Sequence, residues 1–301
     1  MLKKFFKKEN ASITLFVLVA MLFFLIIILG MYMASNNRNQ AQISEIDKIK
    51  DEYDKDVDNL DGIYNEALDF SDLLKAGDMV EYNTGNPDVG DNGVIDCIVL
   101  YDKTYNEENG TNYGIQIIAA DTVGDDVTLG SSDFNTATNS YNTAITTLNA
   151  KAEEYLNTTY ASDARCVGSV PNNKNSEATD YFTIYYGHSG ISFRNTDTNY
   201  KTDYEQIGSD NLNIANIGKS YWLASRIINY YENHGGYTYS CMRGIGTSGY
   251  LSENNLCYVY ASNSFNGYSV SLGFRPVFTL KSDIKISGGD GSKTVPYTLA
   301  P

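Results

Sequence analysis

From Ile13 to Met33 the chain carries no charged side chain (ITLFVLVAMLFFLIIILGMYM). A soluble helix seldom stays apolar on every face for so long, and a run of this length can cross about 30 Å of hydrocarbon as a helix. The preceding segment, LKKFFKKEN, carries four lysines against one glutamate. Basic residues ahead of a span, with no cluster behind it, put the N-terminus in the cytoplasm and the bulk of the chain outside. A cleaved secretory signal would have a shorter apolar stretch and a small-x-small site, and neither is clear. The expected plan is a cytoplasmic basic leader (1–10), a single transmembrane helix (11–34) and an extracellular remainder at the cell membrane.

The apolar pattern continues past the span. Ile43, Ile46, Ile49, Tyr53, Val57, Leu60 and Tyr64 recur every three or four positions among Asp, Glu and Lys. That spacing draws one stripe along a helix. Residues 35–74 are therefore expected to form an amphipathic stalk. Its stripe either meets a partner helix or packs on the chain's own head. A basic leader, a small residue and ITLF opening a long helix beneath a C-terminal head together resemble type IV pilins and pseudopilins. The resemblance covers about the first 65 residues. It implies a peptidase cut, for which Ala11 and Ser12 are the nearest match, and a homo-oligomer or pilus packed through residues 12–64. The family's glutamate five residues into the mature helix is absent, and alanine stands where glycine is usual.

Beyond residue 75 the composition shifts to Gly, Asn, Asp and Tyr, with short apolar runs between turn signals. DMVEY (78–82), VIDCIVLY (94–101) and YGIQIIAAD (113–121) alternate like strands. Residues 131–157 place apolar side chains at 134, 137, 141, 144, 145, 148, 152, 155 and 156, which is one helical face. A polar stretch follows over 172–219, and YWLASRIINYY, NLCYVYA and VSLGFRPVFTL supply the last strands. Strands, one main helix, a long irregular stretch and more strands make an α+β head over 75–301. The net charge of −15 argues against nucleic-acid binding, which needs a basic surface.

YWLASR (221–226) and LGFRPVFTL (272–280) resemble the closing motifs of C-type-lectin-like domains. That broad group includes formylglycine-generating-enzyme-like proteins and the variable proteins of diversity-generating retroelements. The resemblance implies that the tryptophan strand and a final GFR strand pair in the core, through Trp222, Arg226, Gly273, Phe274 and Arg275. It also implies that the segment just before GFR faces a ligand, and that retroelement diversification could act on residues 250–275.

The chemistry on offer is sparse. His188 and His234 are the only histidines and stand in no metal-ligand spacing. DVGDNG (88–93) and SGGDGS (287–292) could hold a cation, but such residues also make ordinary turns. No cofactor, metal or catalytic residue is assigned. Cys97, Cys166, Cys241 and Cys257 would all lie outside the membrane. They form either two disulfides, in one of three connectivities of which Cys241–Cys257 is a candidate pair, or buried free thiols.

The residues from 220 to 270 are crowded with tyrosine and asparagine. If 256–261 is a strand, Cys257, Val259 and Ala261 share the inward face and Tyr258 and Tyr260 the outward one. Tyr268 shares parity with Val270, Leu272 and Phe274 and is expected in the core. Exposed rings among Ser, Asn and Gly are what paratopes use, because a ring offers much contact area with few torsions to freeze. The expected ligand-binding set is Tyr230, Tyr231, Tyr237, Tyr239, Tyr250, Asn254, Asn255, Tyr258, Tyr260, Asn263, Phe265 and Asn266. The chain is thus expected to be a non-enzymatic, adhesin-like surface protein that binds an extracellular protein or glycan. The alternatives are a structural pilin subunit and an enzyme of the formylglycine-generating type.

Overall fold

A computed structural model of the chain describes residues 17–33, 35, 46, 48, 50, 70–169, 171, 197, 200–208, 214–231, 237–259 and 265–301. The side chains of Tyr230, Tyr231, Tyr237 and Phe265 lie outside the described set. So do the leader, the cut site at Ala11 and Ser12, and nearly all of the stalk. The chain divides into two units, Met1–Ala67 and Leu68–Pro301. In the first, residues 17–33 form helix α1, whose large apolar side chains, from Val17 to Met33, are exposed. Among the described residues no helix is long and apolar enough to cross a membrane. The described part of helix α1 spans residues 17–33 of the uncharged run 13–33.

The second unit is α+β, built from thirteen strands and four helices among the described residues. Its helices are α2 (Phe70–Leu73), α3 (Lys103–Asn109), α4 (Phe134–Glu153) and α5 (Tyr200–Ile207). Its first five strands are β1 (Met79–Asn83), β2 (Val94–Tyr101), β3 (Gln116–Ala119), β4 (Val127–Gly130) and β5 (Ala161–Cys166). Then come β6 (Tyr221–Tyr231), β7 (Tyr237–Ile245), β8 (Leu251–Val259) and β9 (Phe265–Gly267). The last are β10 (Ser269–Leu272), β11 (Pro276–Leu280), β12 (Lys285–Gly288) and β13 (Tyr297–Ala300).

Seven strands form the main sheet in the order β12-β13-β1-β2-β3-β11-β5. All its pairings are antiparallel except β1 with β13. A second sheet runs β6-β7-β8-β9, and β4 pairs with β10. Helix α4 contacts β5 of the main sheet and strands β6 to β9 of the second. Its start is set by Asp133, whose carboxylate accepts from the Thr136 amide at 2.8 Å and so satisfies a free N–H of the first turn. Its inner face is Ala137, Tyr141, Ala144, Ile145, Leu148 and Ala152, all buried, as the periodicity predicts.

The two short motifs meet at Gly273. The Trp222 amide donates to the Gly273 carbonyl at 3.0 Å, and the Gly273 amide donates to the Ser220 carbonyl at 3.1 Å. A β-carbon at this position would collide with the Thr122 side chain and the Ser220 carbonyl, so glycine is needed. Trp222 is fully buried, and its indole N–H donates to the Val127 carbonyl at 2.7 Å. Arg275, also buried, donates to the carbonyls of Ala119 and Ile214, and its guanidinium stands over the Tyr221 ring at 4.9 Å. The GFR segment is not the end of the sheet: β12 and β13 follow, and β13 takes the place beside β1.

Two buried ion pairs tie the long polar stretch to the frame. Asp203 on α5 receives both terminal nitrogens of Arg165, at 2.5 and 3.0 Å, together with the Tyr101 hydroxyl at 2.6 Å and the Gly168 amide at 2.7 Å. Asp197 accepts from the Arg226 backbone amide and side-chain Nε, both at 3.0 Å. In each pair both side chains are about as buried as core leucines, so hydrogen bonding has to offset the desolvation.

Candidate functional site

The second sheet separates its residues by parity. In β8, Cys257 and Val259 are buried on the inner side and Tyr258 between them is half-buried on the opposite side, while Leu256, also buried, is the extra residue of a bulge. The register sets Tyr258 directly opposite Tyr239 of β7. Their rings stack with centroids 5.4 Å apart and planes 21° from parallel. Tyr268 extends the row, with its ring 6.3 Å from that of Tyr258. It is 40% exposed, contrary to its expected place in the core. The reason is local. Tyr268 sits at the junction where the chain leaves its pairing with β8 and takes up pairing with β4, and alternation does not carry across that change.

Around the row the backbone sets further candidates. Asn266 is exposed and opposite Tyr258; Phe265 is opposite Val259; Tyr231 is opposite Tyr237, and Tyr230 opposite Thr238. Asn229 donates to the Glu253 carboxylate, a bridge from β6 to β8. Asn255 accepts from the Cys241 thiol at 2.9 Å, and half-buried Asn254 donates weakly to the Ser252 hydroxyl. Tyr250 is 75% exposed, but it sits by the turn joining β7 to β8. That is about 25 Å along the strand from Tyr258 at the usual rise per residue, so the two do not form one patch. Tyr260 and Asn263 lie outside the described residues.

The cysteines follow one of the two alternatives left open by the sequence. All four are buried free thiols. A register shift at Ser240/Cys241 puts Cys257 opposite Ser240 and Cys241 opposite Asn255, so the expected bridge partners do not face each other. Burial, reinforced by the Glu253 charge, pushes the Cys241 thiol up to about 12, and burial pushes Cys257 up to about 11. Burial raises Cys97 and Cys166 further. Such thiols stay protonated near neutrality and are poor nucleophiles.

A groove of about 950 Å³ lies elsewhere. Glu81, Asp91, Asp96 and Asp121 line it, with Lys293 as a counter-charge. Glu81 and Asp96 are directly opposite on β1 and β2. Among the described residues no group of three His, Cys, Asp or Glu side chains could hold a metal ion. DVGDNG folds as a turn, with Gly90, Asn92 and Gly93 at positive φ.

No protein-family model, curated protein or solved structure matches the chain. What can be said of the site therefore comes from its geometry. Sequence parity reaches Tyr258 and the tyrosine-rich composition Tyr239, but parity misses Tyr268, and the Asn229–Glu253 bridge carries no sequence signal, because it joins strands that are not neighbours.

Proposed function

We propose that the chain is a surface-displayed binding protein, held at the cell membrane by its N-terminal apolar helix, with the tyrosine row as its recognition surface. The supporting observation is the gathering of Tyr239, Tyr258 and Tyr268 into one partly exposed row on a buried frame. Rings braced from beneath lose little entropy on binding, while their hydroxyls and the neighbouring Asn266 offer hydrogen bonds. The ligand class is an extracellular protein or glycan. A formylglycine-type reaction would need a reactive thiol, and burial works against that at every cysteine.

The test is binding of the full chain, displayed in lipid nanodiscs, to a glycan array and to intact cells. Alanine at Tyr239, Tyr258 and Tyr268 together is expected to weaken binding by at least tenfold, in the range of aromatic contact residues. Tyr250→Ala should have little effect. Equal binding by wild type and the triple variant would sink this reading. A structural pilin subunit is the second reading, favoured by the apolar exposure of α1. It gains if the triple variant fails to assemble instead.

A further inference from the structure

Strand β11 lies between β3 and β5, and its register sets Thr279 directly opposite Gln116 on one side and Asp163 on the other. Residues directly opposite one another project from the same face of a sheet. Gln116 is fully buried. Its Nε2 lies 3.2 Å from the Thr279 hydroxyl oxygen and donates also to the Tyr113 carbonyl at 3.2 Å. Its carbonyl oxygen accepts from Arg165 Nη2 at 2.8 Å. Arg165 is only 1% exposed.

A carboxamide resists alcohols in water for want of three things: a nucleophile held in place, a stabilised oxyanion and a route for the proton. All three have a residue here. Holding the hydroxyl 3.2 Å from the amide nitrogen removes part of the entropy cost of bringing the two groups together. A guanidinium already on the carbonyl oxygen stabilises the charge that develops there. A carboxylate on the strand beside the hydroxyl can relay its proton.

We propose that Thr279 and Gln116 join spontaneously into an ester that staples β3 to β11. The Thr279 Oγ–H adds to Gln116 Cδ, forming the Oγ–Cδ bond, with Arg165 holding the oxyanion. Asp163 accepts the hydroxyl proton and passes it to Nε2 as the Cδ–Nε2 bond breaks. One ammonia leaves, no electrons change hands, and no cofactor or co-reactant is consumed. The reaction needs no ligand and stands independently of the binding role.

The test is mass spectrometry of the purified full chain after incubation at neutral pH and tryptic digestion. The peptides carrying Gln116 and Thr279 are expected as one species, lighter than their sum by one ammonia and separated by hydroxylamine. Thr279→Val keeps the shape but removes the nucleophile, and should return both peptides singly and unmodified. Recovery of the separate, unmodified peptides from the folded wild-type chain overturns the proposal. So does an ammonia loss confined to the Gln116 peptide with no link to Thr279.

Discussion

Asp203 takes four hydrogen bonds from three residues, Tyr101, Arg165 and Gly168, and shows what a single side chain holds together. Asp203→Ala leaves the Arg165 charge buried without its partner, a change that typically costs about 3–5 kcal/mol. Tyr101→Phe removes one hydroxyl from the same carboxylate and should cost only about 1–2 kcal/mol. Urea unfolding of the two variants against wild type measures both. Equal losses would mean that water enters the site and shields the pair. The thiols make the second residue-level prediction. With all four buried and their pKa values raised, a thiol reagent at neutral pH should find none in the folded chain and four after unfolding. Fast labelling of Cys241 in the native state would contradict its burial and reopen a reactive role.

Helix α4 carries a pH signature at its first turn. Hydrogen bonds from the Thr136 amide and hydroxyl hold the Asp133 carboxyl below its ordinary value, and the helix dipole favours the same charge. A depressed pKa means stability that is present above the unfolded value and lost as pH falls through the folded one. Asp133→Asn keeps a cap without the charge. The variant should therefore melt below wild type at neutral pH, and the two should converge in acid. Thermal melts across pH 2 to 7 check this, where a constant gap would rule the charge out. The same helix shows how far the sequence could be read. Its cap and buried face follow from local pattern, as do β1 and β2. Helices α3 and α5 do not, since α3 lies in a run of polar residues between Asp102 and Gly110 and has no buried residue of its own. The register shift that parts Cys241 from Cys257 is likewise silent in the sequence, because it depends on one extra residue in β8. Tyr268 departs from its parity for a related cause: parity describes one strand, and this residue sits where one ends and another begins.

For the whole molecule, the proposed arrangement rests on the uncharged run from Ile13 to Met33. The full chain expressed in bacteria should sediment with membranes and resist alkaline carbonate. Leu22→Arg with Ile26→Arg adds about 3 kcal/mol per residue to insertion and should move the chain to the soluble fraction. A wild-type chain already soluble without detergent would end the display reading. The pairing of β1 with β13 bears on how the head could carry load. Strand β1 pairs with β13 at Val80 and Glu81 on one side and with β2 along its whole length on the other. Tension drawn along β1 from its beginning would load both ladders in shear, so that their bonds resist together instead of opening one by one. The last of the described strands would thus act as a mechanical clamp on the first.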